Sequence, residues 1–141
     1  MRRRPGRFPD NMTEKTPVPP SRKAVVLDAN ALMMPFQFGI NIDLELGRLV
    51  PGCEPVVPSS VIAELWAVLD KTSDPHAKAA IELAKKYRLV DSHGTGDSAV
   101  LDAAISLRAV VVTNDRGLRA RARAEGLDVV GLRGRNHLEI L

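Results

Sequence analysis

One cysteine, Cys53, in 141 residues excludes an internal disulfide and a cysteine-based zinc cluster. Aromatic residues make up only 4% of the chain, too few for an extended base-stacking platform. No apolar run approaches the ~20 residues of a membrane span. The basic N-terminus has no apolar stretch behind it, so it does not read as a secretory signal. These absences lead to an expectation of a cytoplasmic protein without a membrane. What remains is ordinary for a soluble domain: 45% hydrophobic and 26% charged residues.

The net charge of +3 is unevenly placed. Residues 1–23 hold seven basic residues against two acids, so the other 118 carry a net −2. This first stretch, "MRRRPGRFPDNMTEKTPVPPSRK", also holds five prolines and no periodicity. Residues 1–22 are expected to be a disordered basic tail, either solvated or an arm for nucleic acid, and 23–141 a single folded domain. Translation from Met12 would remove the arginine-rich part.

From residue 24 the pattern alternates. Strands are expected at 24–28, 55–58, 88–91, 109–113 and 128–132, and helices near 41–50, 59–71, 75–87, 97–108 and 116–125. The strands are continuous β-branched runs, as in a parallel sheet covered by helices on both faces. Pro35 and Gly39 mark 29–40 as a loop or short helix. The fold class is α/β, with three layers around a parallel sheet of five strands.

Ligands of such sheets sit beyond the carboxyl ends of the strands. "AVVLDAN" places Asp28 there, and "VVVTNDRG" places Thr113, Asn114 and Asp115 at a second strand end. Each aspartate alone reads equally well as a helix N-cap, less so Asp28 because "ANALMMP" is not an obvious helix start. On a wheel of about 100° per residue, Val100, Leu101, Ala104, Ile105 and Leu107 fall within about 80° of Asp97. Asp97 thus belongs to the buried stripe, whereas Asp102, about 140° away, faces solvent. Glu64 borders the stripe of Val61, Ile62, Leu65, Val68 and Leu69. Carboxylates crowded at one sheet edge repel and raise one another's pKa, a conflict that a bound cation resolves. Oxygen ligands without His or Cys suit Mg²⁺ or Mn²⁺, the ions of phosphate chemistry.

These stretches together resemble a PIN domain: "VLDAN", "VVPSSVIAEL" with Glu64, "GDSAVLDAA" with Asp97, and "VVVTNDRGLRARARAEG" with Asp115. The resemblance spans about 23–141. "DANALMMPFQF" and "LRGRNHLEIL" look most like archaeal PIN proteins similar to the eukaryotic nucleases that process small-subunit ribosomal RNA precursors. It implies a metal-dependent endoribonuclease acting on single-stranded RNA, with pre-rRNA one substrate class, and products ending in 5′-phosphate and 3′-hydroxyl. It places the four acids on Asp28, Glu64, Asp97 and Asp115, with Asp28 and Asp97 holding Mg²⁺ or Mn²⁺ and the others ligating directly or through water. Supporting polar positions fall on Asn30 and Thr113, with Asn114 beside the less constant fourth acid. Two other family roles stay open: a VapC-type toxin, although no antitoxin is evident, and a non-cleaving RNA-binding or ribosome-binding scaffold.

Arg116, Arg119 and Arg123 share a helix face by spacing and are candidates for RNA phosphates, with Arg133 and Arg135 extending the surface. The rival reading is a solvated face. Trp66, off the centre of its stripe, is either a homodimer contact or packing. His76, His93 and His137 lack spaced ligand partners and read as surface residues. A HAD-like phosphatase also starts with a strand ending in Asp, but it needs a second Asp where Asn30 stands and a late Lys. No lysine follows Lys86.

Overall fold

The computed structural model describes residues 22–141. Most of the expected basic tail therefore lies outside the described residues. The strands are β1 (Ala24–Leu27), β2 (Glu54–Pro58), β3 (Arg88–Val90), β4 (Val110–Val112), β5 (Val129–Arg133) and β6 (His137–Ile140). The helices are α1 (Ala29–Phe38), α2 (Ile42–Leu49), α3 (Ser59–Thr72), α4 (Pro75–Ala84), α5 (Gly96–Leu107) and α6 (Arg116–Ala124).

The sheet order is β3-β2-β1-β4-β5-β6. Pairing is parallel from β3 through β5, as the unbroken apolar runs predict. β1 is buried throughout, and α5 packs across β1 and β2 while α1, α3 and α4 pack on one another. The result is the expected α/β/α layering around a mostly parallel sheet. From β1 the chain steps outward to β2 and β3, then returns through α5 to β4 on the other side. The strand order thus reverses at β1 and β4, which opens a crevice at their carboxyl ends.

One expectation needs correction, and one left open is resolved. Among the described residues the sheet holds the five expected parallel strands and a sixth, β6, which pairs antiparallel to β5 through a tight Gly134–Asn136 turn. β6 alternates in burial, with only Leu138 fully buried, so it lacks the continuous apolar signature of the others. The segment after Asp28, expected as a loop or short helix, is a helix of ten residues that contains Pro35. An internal proline costs roughly 3 kcal/mol. Burial of Ala29, Ala31, Leu32 and Met34 offsets that cost, and Gly39 ends the helix at φ 69°.

Asp102 is exposed and Val100, Leu101 and Ala104 are buried, as the wheel predicts. Ile105 is not: it stands 40% exposed, near the amino-end edge of the sheet beside Arg108. Trp66 packs against the core. His93 is exposed, while His76 and His137 are half-buried, His137 on Glu139 at 3.1 Å. No helix among the described residues is long and apolar enough to cross a membrane.

Candidate active site

Asp28 leaves the end of β1 with 5% of its surface exposed, in a chain whose only other buried polar residue among those described is Thr113. Its Oδ1 accepts from the Ala31 backbone N–H at 2.8 Å, capping α1. Its Oδ2 accepts a hydrogen bond from the Thr113 hydroxyl at the end of β4. Asp28 therefore does cap a helix, and the cap does not exhaust it, because each carboxylate oxygen keeps a further lone pair. Burial foremost, with the charges of Glu64 and Asp97, pushes its pKa from 3.8 up to about 6 against the pull of the Thr113 and Ala31 hydrogen bonds.

Asp97 sits half-buried in the first turn of α5, one residue inside a helix whose N-cap is Thr95, so it is not the cap itself. Glu64 is exposed on α3, and desolvation followed by the charge of Asp97 raises its pKa. Glu64 and Asp97 face each other across one cavity. The structure thus brings three of the four predicted acids within electrostatic reach.

Asp115 stands slightly apart. Its Oδ1 caps α6 by accepting from Leu118 N at 2.8 Å, and its own N–H donates to Thr113 Oγ1 at 3.0 Å. The Thr113 hydroxyl thus links the two strand-end acids. Removing a cap costs about 1 kcal/mol, whereas Asn caps nearly as well as Asp. Asp115→Ala is therefore expected to lose about 1 kcal/mol of stability in urea unfolding. Asp115→Asn should stay close to the parent, so any activity lost in that variant reports the missing charge.

Among the described residues, no three His, Cys, Asp or Glu side chains are drawn together tightly enough to hold an ion as they stand. The donor chemistry nevertheless fits a hard divalent cation. All the donors are carboxylate oxygens, and the buried one carries a charge that its neighbours oppose.

The supporting residues divide. Asn30 is exposed on the first turn of α1, next to Asp28. The Asn114 side chain accepts from Leu132 N at 3.1 Å, locking β4 to β5. Arg119 is half-buried and donates to the Asn114 carbonyl at 3.2 Å, so it does not share a solvated face with Arg116 and Arg123, which are exposed. Arg133 pairs with Glu139 at 3.1 Å, and Arg135 is exposed at the hairpin turn. Sequence reasoning missed Ser60 and Thr95, which line the cavity beside Glu64 and Asp97. The paired serines at the start of α3 and the "GTGD" before α5 were the available signals.

A mostly parallel sheet with a buried aspartate at its switch point, and two acids from neighbouring helices, defines an α/β domain with an acidic cleft at its strand ends. A family profile described as "PIN like domain" matches residues 25–135, and the chain belongs to that family. No curated protein sequence matches it. Among solved structures it is similar to the PIN domain endonuclease Utp24, at 20% identity and TM-score 0.67 over 83% of this chain and 90% of that one. It is also similar to a domain of a functionally unknown protein from Methanocaldococcus jannaschii, at 15% identity and TM-score 0.56 over 79% of this chain and 92% of that one. At these identities the two likenesses speak for the fold.

Proposed function

We propose that this chain is a divalent-metal-dependent endoribonuclease that cuts single-stranded RNA, with ribosomal RNA precursors as one substrate class. Family membership supports a nuclease-type activity in general. The observation that carries the finer reading is the buried Asp28 carboxyl at the switch point, held near pKa 6 and repelled by Glu64 and Asp97. Asp28 and Asp97 would hold Mg²⁺ or Mn²⁺, with Glu64 and Asp115 reaching it directly or through water. When bound, the ion supplies Lewis-acid stabilisation at the phosphate and a water of lowered pKa.

The chain's own residues do the rest. Thr113 fixes the Asp28 carboxylate and, through the Asp115 N–H, the start of α6. Arg116, Arg123 and Arg135 offer exposed cations for backbone phosphates beside the acids. Arg119 acts from behind by holding the Asn114 turn, and Arg133 contributes after leaving Glu139.

One observation favours a second reading, a PIN-fold scaffold that holds RNA without cutting it: the acids are not gathered into a ready chelate among the described residues. Cleavage of end-labelled single-stranded and duplex RNA by purified protein separates the two. The nuclease reading expects cleavage of the single strand with Mn²⁺ or Mg²⁺ and none with EDTA. It also expects the ion alone to raise the melting temperature at pH 7.5, by the equivalent of about 2.7 kcal/mol at a hundredfold excess over Kd. RNA binding with no cleavage under either metal supports the scaffold.

A further inference from the structure

Beside the acids, on the β2–β3 side of the sheet, lies a cavity of about 410 Å³ between one face of α3 and the turn that opens α5. That volume is in the range of small-molecule sites, roughly 300–1,000 Å³. Ser60, Ala63, Glu64 and Ala67 line it from α3 at i, i+3, i+4 and i+7, and Thr95 and Asp97 close it from the other side. Ala63 and Ala67 are exposed, so their small size is not a packing requirement of the core.

Its chemistry selects an occupant. No basic side chain lines the cavity, so beyond an ion held by Glu64 and Asp97 it offers a phosphate no partner. The alanine floor suits a flat, neutral, partly apolar group. Two hydroxyls give that group an edge to read. Ser60 Oγ accepts from Ser92 Oγ at 2.9 Å, which leaves the Ser60 O–H to donate elsewhere. Thr95 is the N-cap of α5, yet its side chain makes no capping bond.

Arg116 and Arg123 of α6 and Arg135 of the β5–β6 turn follow β4 and β5, across β1 from the β2 and β3 strands that lead into this cavity, whereas Arg121 reaches Ser98 on the first turn of α5 at 3.1 Å. A strand of RNA lying across the sheet edge therefore meets cations for its phosphates on one side of the acids and a cavity without basic side chains on the other. We infer that the cavity between α3 and the start of α5 takes one nucleobase next to the scissile phosphate, with Ser60 and Thr95 reading its edge and Ala63 and Ala67 setting its depth. The inference rests on the nuclease reading and adds a base preference to it. In a chain with few aromatic residues, a slot between elements replaces the usual ring stack.

The test compares full-length protein with Ala67→Leu, which fills the cavity, and Thr95→Ala, which removes one hydroxyl. Cut positions are mapped on a randomised single-stranded RNA pool with Mn²⁺, and binding of fluorescein-labelled A, C, G and U decamers is measured by anisotropy with Ca²⁺. The parent is expected to prefer one base at one position flanking the cut and to bind the matching decamer about tenfold more tightly, a difference of 1.4 kcal/mol. Ala67→Leu should erase both preferences, and Thr95→Ala should weaken or change the preferred base. If the parent cuts RNA but both variants keep its preference and affinities, the cavity is not a base site and the nuclease reading stands. A parent that never cuts but binds with a base preference that Ala67→Leu erases keeps the cavity as a base site and overturns the nuclease reading. A parent that neither binds nor cuts RNA overturns both.

Discussion

Asp28→Asn is expected to lower metal-dependent RNA cleavage by about a thousandfold or more and, at the same time, to make the metal-free protein more stable at neutral pH. The two effects have one origin. The folded state holds the Asp28 proton up to about pH 6, whereas an unfolded aspartate releases it near 3.8. Between those values the folded state binds more protons, so stability falls as pH rises and then levels off above about 6. The full difference of about two pKa units corresponds to about 3 kcal/mol. An asparagine removes the charge, keeps the acceptor for Ala31 N–H, and presents its amide to the Thr113 hydroxyl, which turns to accept. Guanidinium unfolding with EDTA at pH 7.5 should show a gain of about 1–3 kcal/mol that shrinks to nothing near pH 4. Stability traded for function in this way is typical of an active-site charge. Undiminished cleavage by the variant would remove Asp28 from the site, and a less stable variant at pH 7.5 would mean that the charge is already compensated.

Thr113→Val is the second large effect. The valine matches the threonine in shape, and the position is fully buried, so the change removes a hydroxyl and little else. That hydroxyl donates to the Asp28 carboxylate and accepts from Asp115 N–H. A hydrogen bond to a charged group contributes about 1.5–3 kcal/mol, and a buried group left unsatisfied adds to the loss. The bond to Thr113 lowers the Asp28 pKa, so its removal lifts that pKa above about 6 and moves ionisation to higher pH. The stability deficit of the variant should therefore be about 2–3 kcal/mol at pH 7.5 and distinctly smaller at pH 5, where Asp28 is protonated in both proteins. Thr113→Ser should recover most of it. A deficit equal at both pH values would show that the hydroxyl does not act through the Asp28 charge. Cleavage should fall in Thr113→Val as well, because the carboxylate loses its fixed orientation.

The five parallel strands were legible because an unbroken β-branched run has few other uses, and Asp28 was legible because an acid after such a run is costly to place. β6 was not, since Leu138 alone among its four residues is fully buried and alternation over so short a span is weak. α1 was left open between loop and short helix because local rules treat Pro35 as a stop, and packing of Leu32 and Met34 into the core decides for the helix. Spacing placed Arg119 with Arg116 and Arg123, but spacing carries no side-chain direction, and Arg119 turns inward to the Asn114 carbonyl. Asp115 shows the same limit from the other side. Its position at a strand end was readable, and its cap to Leu118 was foreseen as a rival role, but its tie to Asp28 depends on one buried hydroxyl 85 residues along the chain from that acid.

That separation gives the molecule a timetable. Asp28 lies near the start of the described residues, yet its hydroxyl donor and the strand that flanks β1 on one side come from residues 110–113. A chain that stops before residue 110 lacks β4, the Thr113 donor and the Asp115 turn together. A chain that has not completed β4 therefore cannot assemble this acidic centre, and the cutting power proposed for it is withheld until most of the domain exists.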